Sequence, residues 1–154
     1  MEELNGWQGR FDIFIKSNNG DWEHDRTINN LITDGGLDLL RNSLQGTATD
    51  GQIKYIAVGT SSVAVASTQT QLGAEVFRKP VLTRTALTTG SLQSVTILTE
   101  TEAVANIQEI GIFAGSTAST ASNSGVMISR ILYSRNKTNL ESIQIQRTDT
   151  IARG

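Results

Sequence analysis

His24 is the only histidine in a chain of 154 residues, and cysteine is absent. A disulfide, a thiolate metal site and a histidine-rich metal centre are therefore out of reach within one chain. A Ser-His-Asp arrangement would have to recruit His24. It stands in Trp22-Glu23-His24-Asp25, on an expected strand, and no nucleophile elbow occurs elsewhere. The ordinary reading is a partly exposed strand histidine. Carboxylates remain as an acid and base for glycoside hydrolysis. Glu100, Glu102 and Glu109 fall near one strand start, and Glu23 and Asp25 share one face of another. Acidic residues at strand ends are ordinarily solvated or salt-bridged. Aromatic residues make up only 5% of the chain, too few to wall a sugar cleft. The expectation is a protein with no catalytic residue, no cofactor and no metal: not an enzyme.

Other motifs reduce to ordinary structure. Val58-Gly59-Thr60-Ser61-Ser62 sets a glycine and hydroxyls after a strand but lacks the lysine and second glycine of a phosphate loop. It reads as a strand-to-loop turn. Asn136-Lys137-Thr138 fits the glycosylation acceptor pattern, a chance match without a secretion signal. Calcium would need a twelve-residue acidic loop, which is missing. Trp7 and Trp22 read first as core side chains, with an inter-subunit contact as the sharper alternative.

The net charge is −2, from 13 basic and 15 acidic residues, with no run of either sign. A nucleic-acid partner would call for a basic face, so none is expected. The start, Met1-Glu2-Glu3-Leu4-Asn5-Gly6, lacks a basic region and an apolar core. No apolar run approaches the about 20 residues that span a bilayer, so membrane insertion is not expected.

Short apolar runs separated by Gly, Asn, Ser and Thr clusters predict an all-β fold. Residues 10–16 alternate, with Phe11, Ile13 and Ile15 on one face. Asn18-Asn19-Gly20-Asp21 follows, holding the Asn-Gly pair that tolerates positive φ in tight hairpins. Residues 22–32 return as a second strand. Residues 34–45 read as the one helix, capped by Thr33 or Asp34, stopped by Gly46, and striped by Leu37, Leu40 and Leu44. A helix that short needs a sheet under its stripe. Residues 53–58 read as a central strand, and residues 67–72 as a helical turn. Residues 75–79 lead into Pro80, which favours an edge. Residues 81–87 and 91–99 flank a hairpin at Thr88-Thr89-Gly90. Residues 107–113, 126–133 and 140–151 complete the strands, the last with Ile143 and Ile145 inward and Gln144 and Gln146 outward. The stretch 114–125, without an apolar anchor, reads as a mobile surface loop. The whole, 1–154, is expected to be a single domain: an antiparallel β-sandwich with one short α-helix.

Four ordered segments carry a resemblance. They are Asn30-Leu31-Ile32-Thr33-Asp34-Gly35-Gly36 with the leucine helix; Ile53-Lys54-Tyr55-Ile56-Ala57-Val58-Gly59-Thr60; Gln71-Leu72-Gly73-Ala74-Glu75-Val76-Phe77-Arg78-Lys79; and Glu109-Ile110-Gly111-Ile112-Phe113. In order and spacing the chain resembles small structural virion proteins of tailed bacteriophages, encoded among tail and tail-fibre components. The likeness spans about residues 28–147. Leu72 to Lys79 match the family's Leu-Gly-x-Glu-Val-aromatic-Arg-Lys pattern. Val104-Ala105 stands where Asn-Gly is common. The resemblance implies a non-catalytic assembly subunit of the tail, fibre base, neck or capsid surface. Such a subunit is made in the host cytoplasm, is located in the virion, and has copies of itself and other virion proteins as partners. Host-surface contact is compatible with that role.

Trp7, Glu75, Phe77, Arg78 and Lys79 are the expected subunit-interface residues, with Glu75 and Arg78 equally suited to a surface ion pair within the chain. The alternative functions are a receptor- or carbohydrate-binding module using loop 114–125, and a polysaccharide-degrading enzyme using Glu100, Glu102 and Glu109.

Overall fold

A computed structural model describes residues 6–154. The chain folds as an all-β sandwich of two antiparallel sheets with one short helix. The elements are β1 (Gly6–Ser17), β2 (Trp22–Asn30), α1 (Asp34–Gln45), β3 (Ile53–Gly59), β4 (Glu75–Pro80), β5 (Thr83–Ala86), β6 (Ser91–Leu98), β7 (Asn106–Ala114), β8 (Val126–Asn136) and β9 (Glu141–Ala152). One sheet runs β2-β1-β9-β6-β5 and the other β4-β3-β7-β8.

Alternation decides which side chains fill the space between the sheets. Phe11 and Ile13 of β1, Ile143 and Ile145 of β9 and Leu98 of β6 meet Ile56, Val58, Ile110, Ile112, Ile128 and Ile131 of the other sheet. Gln144 and Gln146 are half-exposed on the outer face, as the sequence predicts. Pro80 ends β4, an edge strand. Gly90, at φ +78°, turns β5 into β6, the second expected hairpin.

The β1–β2 hairpin also forms, but by another device. Positive φ occurs at neither Asn19 nor Gly20. The four-residue connection closes instead through the Gly20 amide donating to the Ser17 carbonyl at 2.9 Å. The predicted helical turn at 67–72 is replaced by a β-turn, with the Gln69 amide donating to the Ala66 carbonyl. Trp22, read as a core residue, lies on edge strand β2 at 37% exposure, its ring 6.0 Å from the Lys16 ammonium. The edge of a sheet has only one neighbour to cover it.

Helix α1 starts and stops where its caps dictate. The Thr33 hydroxyl accepts from the Gly36 amide at 3.0 Å, and Gly46 takes the left-handed conformation at φ +88°. Its packing differs from the leucine-stripe expectation. Leu37 and Leu44 are exposed, Leu44 to 83%, and the one buried helical residue is Gly36. The helix docks by its first turn: the Thr33 amide donates to the Ile128 carbonyl at 2.8 Å, and the Thr33 hydroxyl bonds the Met127 carbonyl. A Cβ at Gly36 would lie 2.9 Å from the Ile32 side chain and 3.3 Å from Ile128 Cα. Close approach of Gly36 to β8, with Leu39 half-buried against the main core, fixes the helix, rather than a seam through Leu37 and Leu44.

Two substitutions separate these arrangements. Gly36→Val should cost about 1–3 kcal/mol through overpacking, whereas Leu44→Ala should stay within about 0.5 kcal/mol of the parent. Urea unfolding followed by circular dichroism reads both. A larger loss from Leu44→Ala than from Gly36→Val would restore the leucine seam.

Candidate functional site

The polar residues that could do chemistry lie on the outer face of the β4-β3-β7-β8 sheet, at the sandwich ends and on the β1–β2 pair of the other sheet. Alternation along β7 sends Ile110 and Ile112 to the main core. It sends Phe113 outward to a second cluster with Ala57, Leu72 and Met127, against which Tyr55 packs. Two loops cover that face, 60–74 and 115–125, and a Glu–Arg pair fastens each.

Glu109 is the centre of the first. It is fully buried beside Gly59 of β3. One carboxylate oxygen accepts from the Gly73 amide at 2.8 Å and Arg130 Nε at 2.8 Å. The other accepts from the Ser61 and Ala74 amides at 3.0 and 2.9 Å. Burial pushes its pKa up, but Arg130 and the Gly73, Ala74 and Ser61 amides outweigh burial and hold it below the usual carboxylate range. The Arg130 guanidinium also donates to the carbonyls of Val63 and Ser61 and to the Gln69 side chain. Each oxygen of Glu109 thus carries two donors. The group is held as an anion with no lone pair directed at a substrate, so the geometry fits a structural staple rather than an acid or base.

Glu75 and Arg78 form the second staple. Arg78 Nε and Nη2 grip the Glu75 carboxylate at 2.9 and 2.8 Å, and both side chains are almost wholly buried. Arg78 Nη1 donates to the carbonyls of Ser119 and Ser124, each at 3.0 Å, and the guanidinium lies 4.6 Å from the Phe113 ring centre. This overturns the expectation of a weak surface pair. The stretch read as a mobile loop is tied at both of these carbonyls, and the Asn123 amide donates to Glu75.

The remaining expected interface residues are also engaged within the chain. Trp7 Nε1 donates to Asp149 at 2.9 Å, Lys79 Nζ donates to Glu102 at 2.7 Å and to the Ile97 carbonyl at 2.8 Å, and Phe77 packs half-buried on the core. Glu102 also accepts from the Thr99 amide and hydroxyl. Burial raises its pKa, and the Lys79 and Thr99 bonds bring it below the ordinary value. Glu102 and Glu109 are therefore committed to different cations, and the carboxylates grouped in sequence do not converge on one cleft.

His24 comes nearest to a catalytic grouping. Its Nε2 lies 2.8 Å from the Thr27 hydroxyl, which donates to Asp12 at 2.5 Å. The hydroxyl's proton is directed at the carboxylate, leaving the imidazole nothing to abstract, and the trio sits on an exposed strand surface. Among the described residues no three His, Asp or Glu side chains gather as a metal would require.

Besides Arg130, sequence reasoning passed over two buried cations. Lys137 Nζ donates to the carbonyls of Thr99, Glu100 and Thr138, and burial lowers its pKa. Arg147, fully buried, reaches Asp149, Ser129 and Asn30 and lies 4.8 Å over the Phe11 ring. Arg147 could have been found from its inward register with Ile143 and Ile145; Lys137, beyond the end of a strand, carries no such sign.

The depressed pKa of Glu109 links the staple to pH. Its stabilising contribution is present above the unfolded value, about 4.3, and is lost as pH falls through the lower folded value. Glu109→Gln should cost about 3–5 kcal/mol at pH 7 by leaving Arg130 uncompensated. It should also flatten the loss of stability on acidification from pH 5 to pH 3. Urea unfolding across that range measures both, and an unchanged acid slope would contradict the staple. Comparison of the chain with protein-family models, with curated proteins and with solved structures found no match.

Proposed function

We propose that this chain is a structural, non-catalytic subunit of a tailed-bacteriophage virion, working through contacts with copies of itself and with other virion proteins. The observation that carries the assembly role is an apolar groove where the end of β2, the 60–66 segment and β8 meet. Ile28, Leu31, Ala64, Val65, Ile131 and Leu132 line it around a hollow of about 430 Å³. Leu31 is 66% exposed, and Leu132 and Val65 are exposed to about 40%. Contiguous apolar surface of this kind suits burial against another chain. The carboxylates best placed for catalysis are consumed by Arg130, Arg78 and Lys79. The virion assignment itself rests on the resemblance of the four segments.

Sedimentation equilibrium supplies the first test. The protein should form a species of defined stoichiometry above its 16.6 kDa chain mass. Leu31→Glu with Leu132→Glu should return it to monomer with an unchanged melting temperature. Mass spectrometry of purified phage particles encoding the chain should find it in the particle. A protein that stays monomeric at high concentration and is missing from those particles would end the reading.

A further inference from the structure

β2 is an edge strand of nine residues, and seven of them are exposed. Among the described residues no strand pairs with its outer side. A row of free backbone N–H and C=O groups on so long an edge is a template for a strand of another chain. The other edges are blunted. β5 has only four residues, and β4 ends in Pro80. β8 is covered where the Thr33 hydroxyl and amide take the carbonyls of Met127 and Ile128.

β2 is interrupted at its centre instead. Ile13 of β1 pairs with Arg26 and Phe14 pairs with His24, which leaves Asp25 as an extra residue without a partner on β1. A bulge of this kind bends the strand, increases its twist and breaks the spacing of the ladder. It divides the edge into two short pieces, Trp22 to His24 and Arg26 to Asn30. The Asp25 side chain reaches across to the opposite sheet. Its Oδ2 accepts from the Tyr133 hydroxyl of β8 at 2.7 Å, and Arg135 Nη1 lies 3.9 Å from its Oδ1. Tyr133 is buried in the main core. Straightening β2 would pull the carboxylate away and leave that hydroxyl unpaired, at a cost of about 1–3 kcal/mol for a buried donor. The bulge and the bond hold each other in place.

We propose that the Asp25 bulge, anchored on Tyr133, is a guard that stops β2 from adding its backbone to a strand of another chain. Contact at β2 is thereby left to its side chains. Without the extra residue the strand would run unbroken along β1 and present eight residues in one register. A second copy would then supply the matching edge, since two such strands pair antiparallel about a two-fold axis. The guard is separate from the apolar groove at Leu31 and Leu132, and the proposal does not depend on the virion reading.

Amide hydrogen exchange of the full chain over a range of protein concentrations, with sedimentation equilibrium alongside, tests it. In the parent, the β2 amides that do not bond β1 should exchange freely at every concentration. Deletion of Asp25 combined with Tyr133→Phe removes the extra residue and the hydroxyl it would leave unpaired; deletion of Asp25 alone serves if circular dichroism shows that the combined variant does not fold. In the deletion variant those amides should slow at least about tenfold as concentration rises. The accompanying association should survive Leu31→Glu with Leu132→Glu, which separates it from any contact through the groove. Asp25→Asn, which keeps the residue count and an acceptor for Tyr133, should behave as the parent does. Concentration-dependent protection of the outer β2 amides in the parent, no protection in a folded deletion variant, or equal protection in Asp25→Asn would each overturn the proposal.

Discussion

Taking an arginine and a glutamate out of water together costs several kcal/mol per ion unless geometry and further hydrogen bonds repay it. The Glu109–Arg130 pair meets that condition by drafting backbone. Three amides from the 60–74 loop complete the carboxylate, and two carbonyls from the same loop help complete the guanidinium. The loop is thereby wound around the pair. The glycines around the pair follow from this arrangement. A Cβ on Gly59 would stand 2.4 Å from a Glu109 oxygen and 2.5 Å from the Ala74 carbonyl, and one on Gly73 would stand 2.4 Å from the Ser61 side chain. Gly111, two residues after Glu109, leaves the space that Leu72 occupies; a Cβ there would lie 2.8 Å from Leu72 Cδ2.

The same solution recurs wherever the sandwich must cover itself with polar chain. Arg78 holds the 115–125 loop by two carbonyls while Glu75 neutralises it and Phe113 lies beneath. Lys137 gathers three carbonyls near the turn at 99–102. Arg147 ties β9 to β2 and β8, through Asn30 and Ser129. It demands glycine opposite: a Cβ at Gly9 would fall 2.1 Å from its Nη2. Apolar side chains account for the attraction between the sheets. The directional bonds of these cations account for where the loops lie.

That division explains what could be read from residue order. Strand periodicity is a local property, so β1, β3, β6, β7, β8 and β9 were legible, as were the caps Thr33 and Gly46. The leucine stripe of α1 was legible as a stripe, but a stripe does not say what it meets. Glycine at position 36 brings the first helical turn against β8 and leaves Leu44 outside. The Asn19-Gly20 pair likewise permits a tight turn without compelling one. Glu109 and Glu75 read as surface charges, and Arg130 drew no notice, because burial depends on a loop returning from dozens of residues away. Arg130 and Gln69, bonded in the fold, are 61 residues apart.

The four segments on which the proposed virion reading rests are largely the fasteners themselves. Leu72 fills the gap at Gly111, Gly73 and Ala74 present amides to Glu109, Glu75 pairs with Arg78, and Lys79 reaches Glu102. Each has an internal duty, so their presence speaks to how the sheets are covered before it speaks to any partner. Under the proposed assembly role, recognition would use what the fasteners leave outside. What remains is the long, exposed edge strand β2, the apolar groove at Leu31 and Leu132, and Leu37 and Leu44 of α1. A sandwich braced internally by charge can present such surfaces without loosening its own core, because the side chains that hold it shut are different from the ones left free to meet another chain.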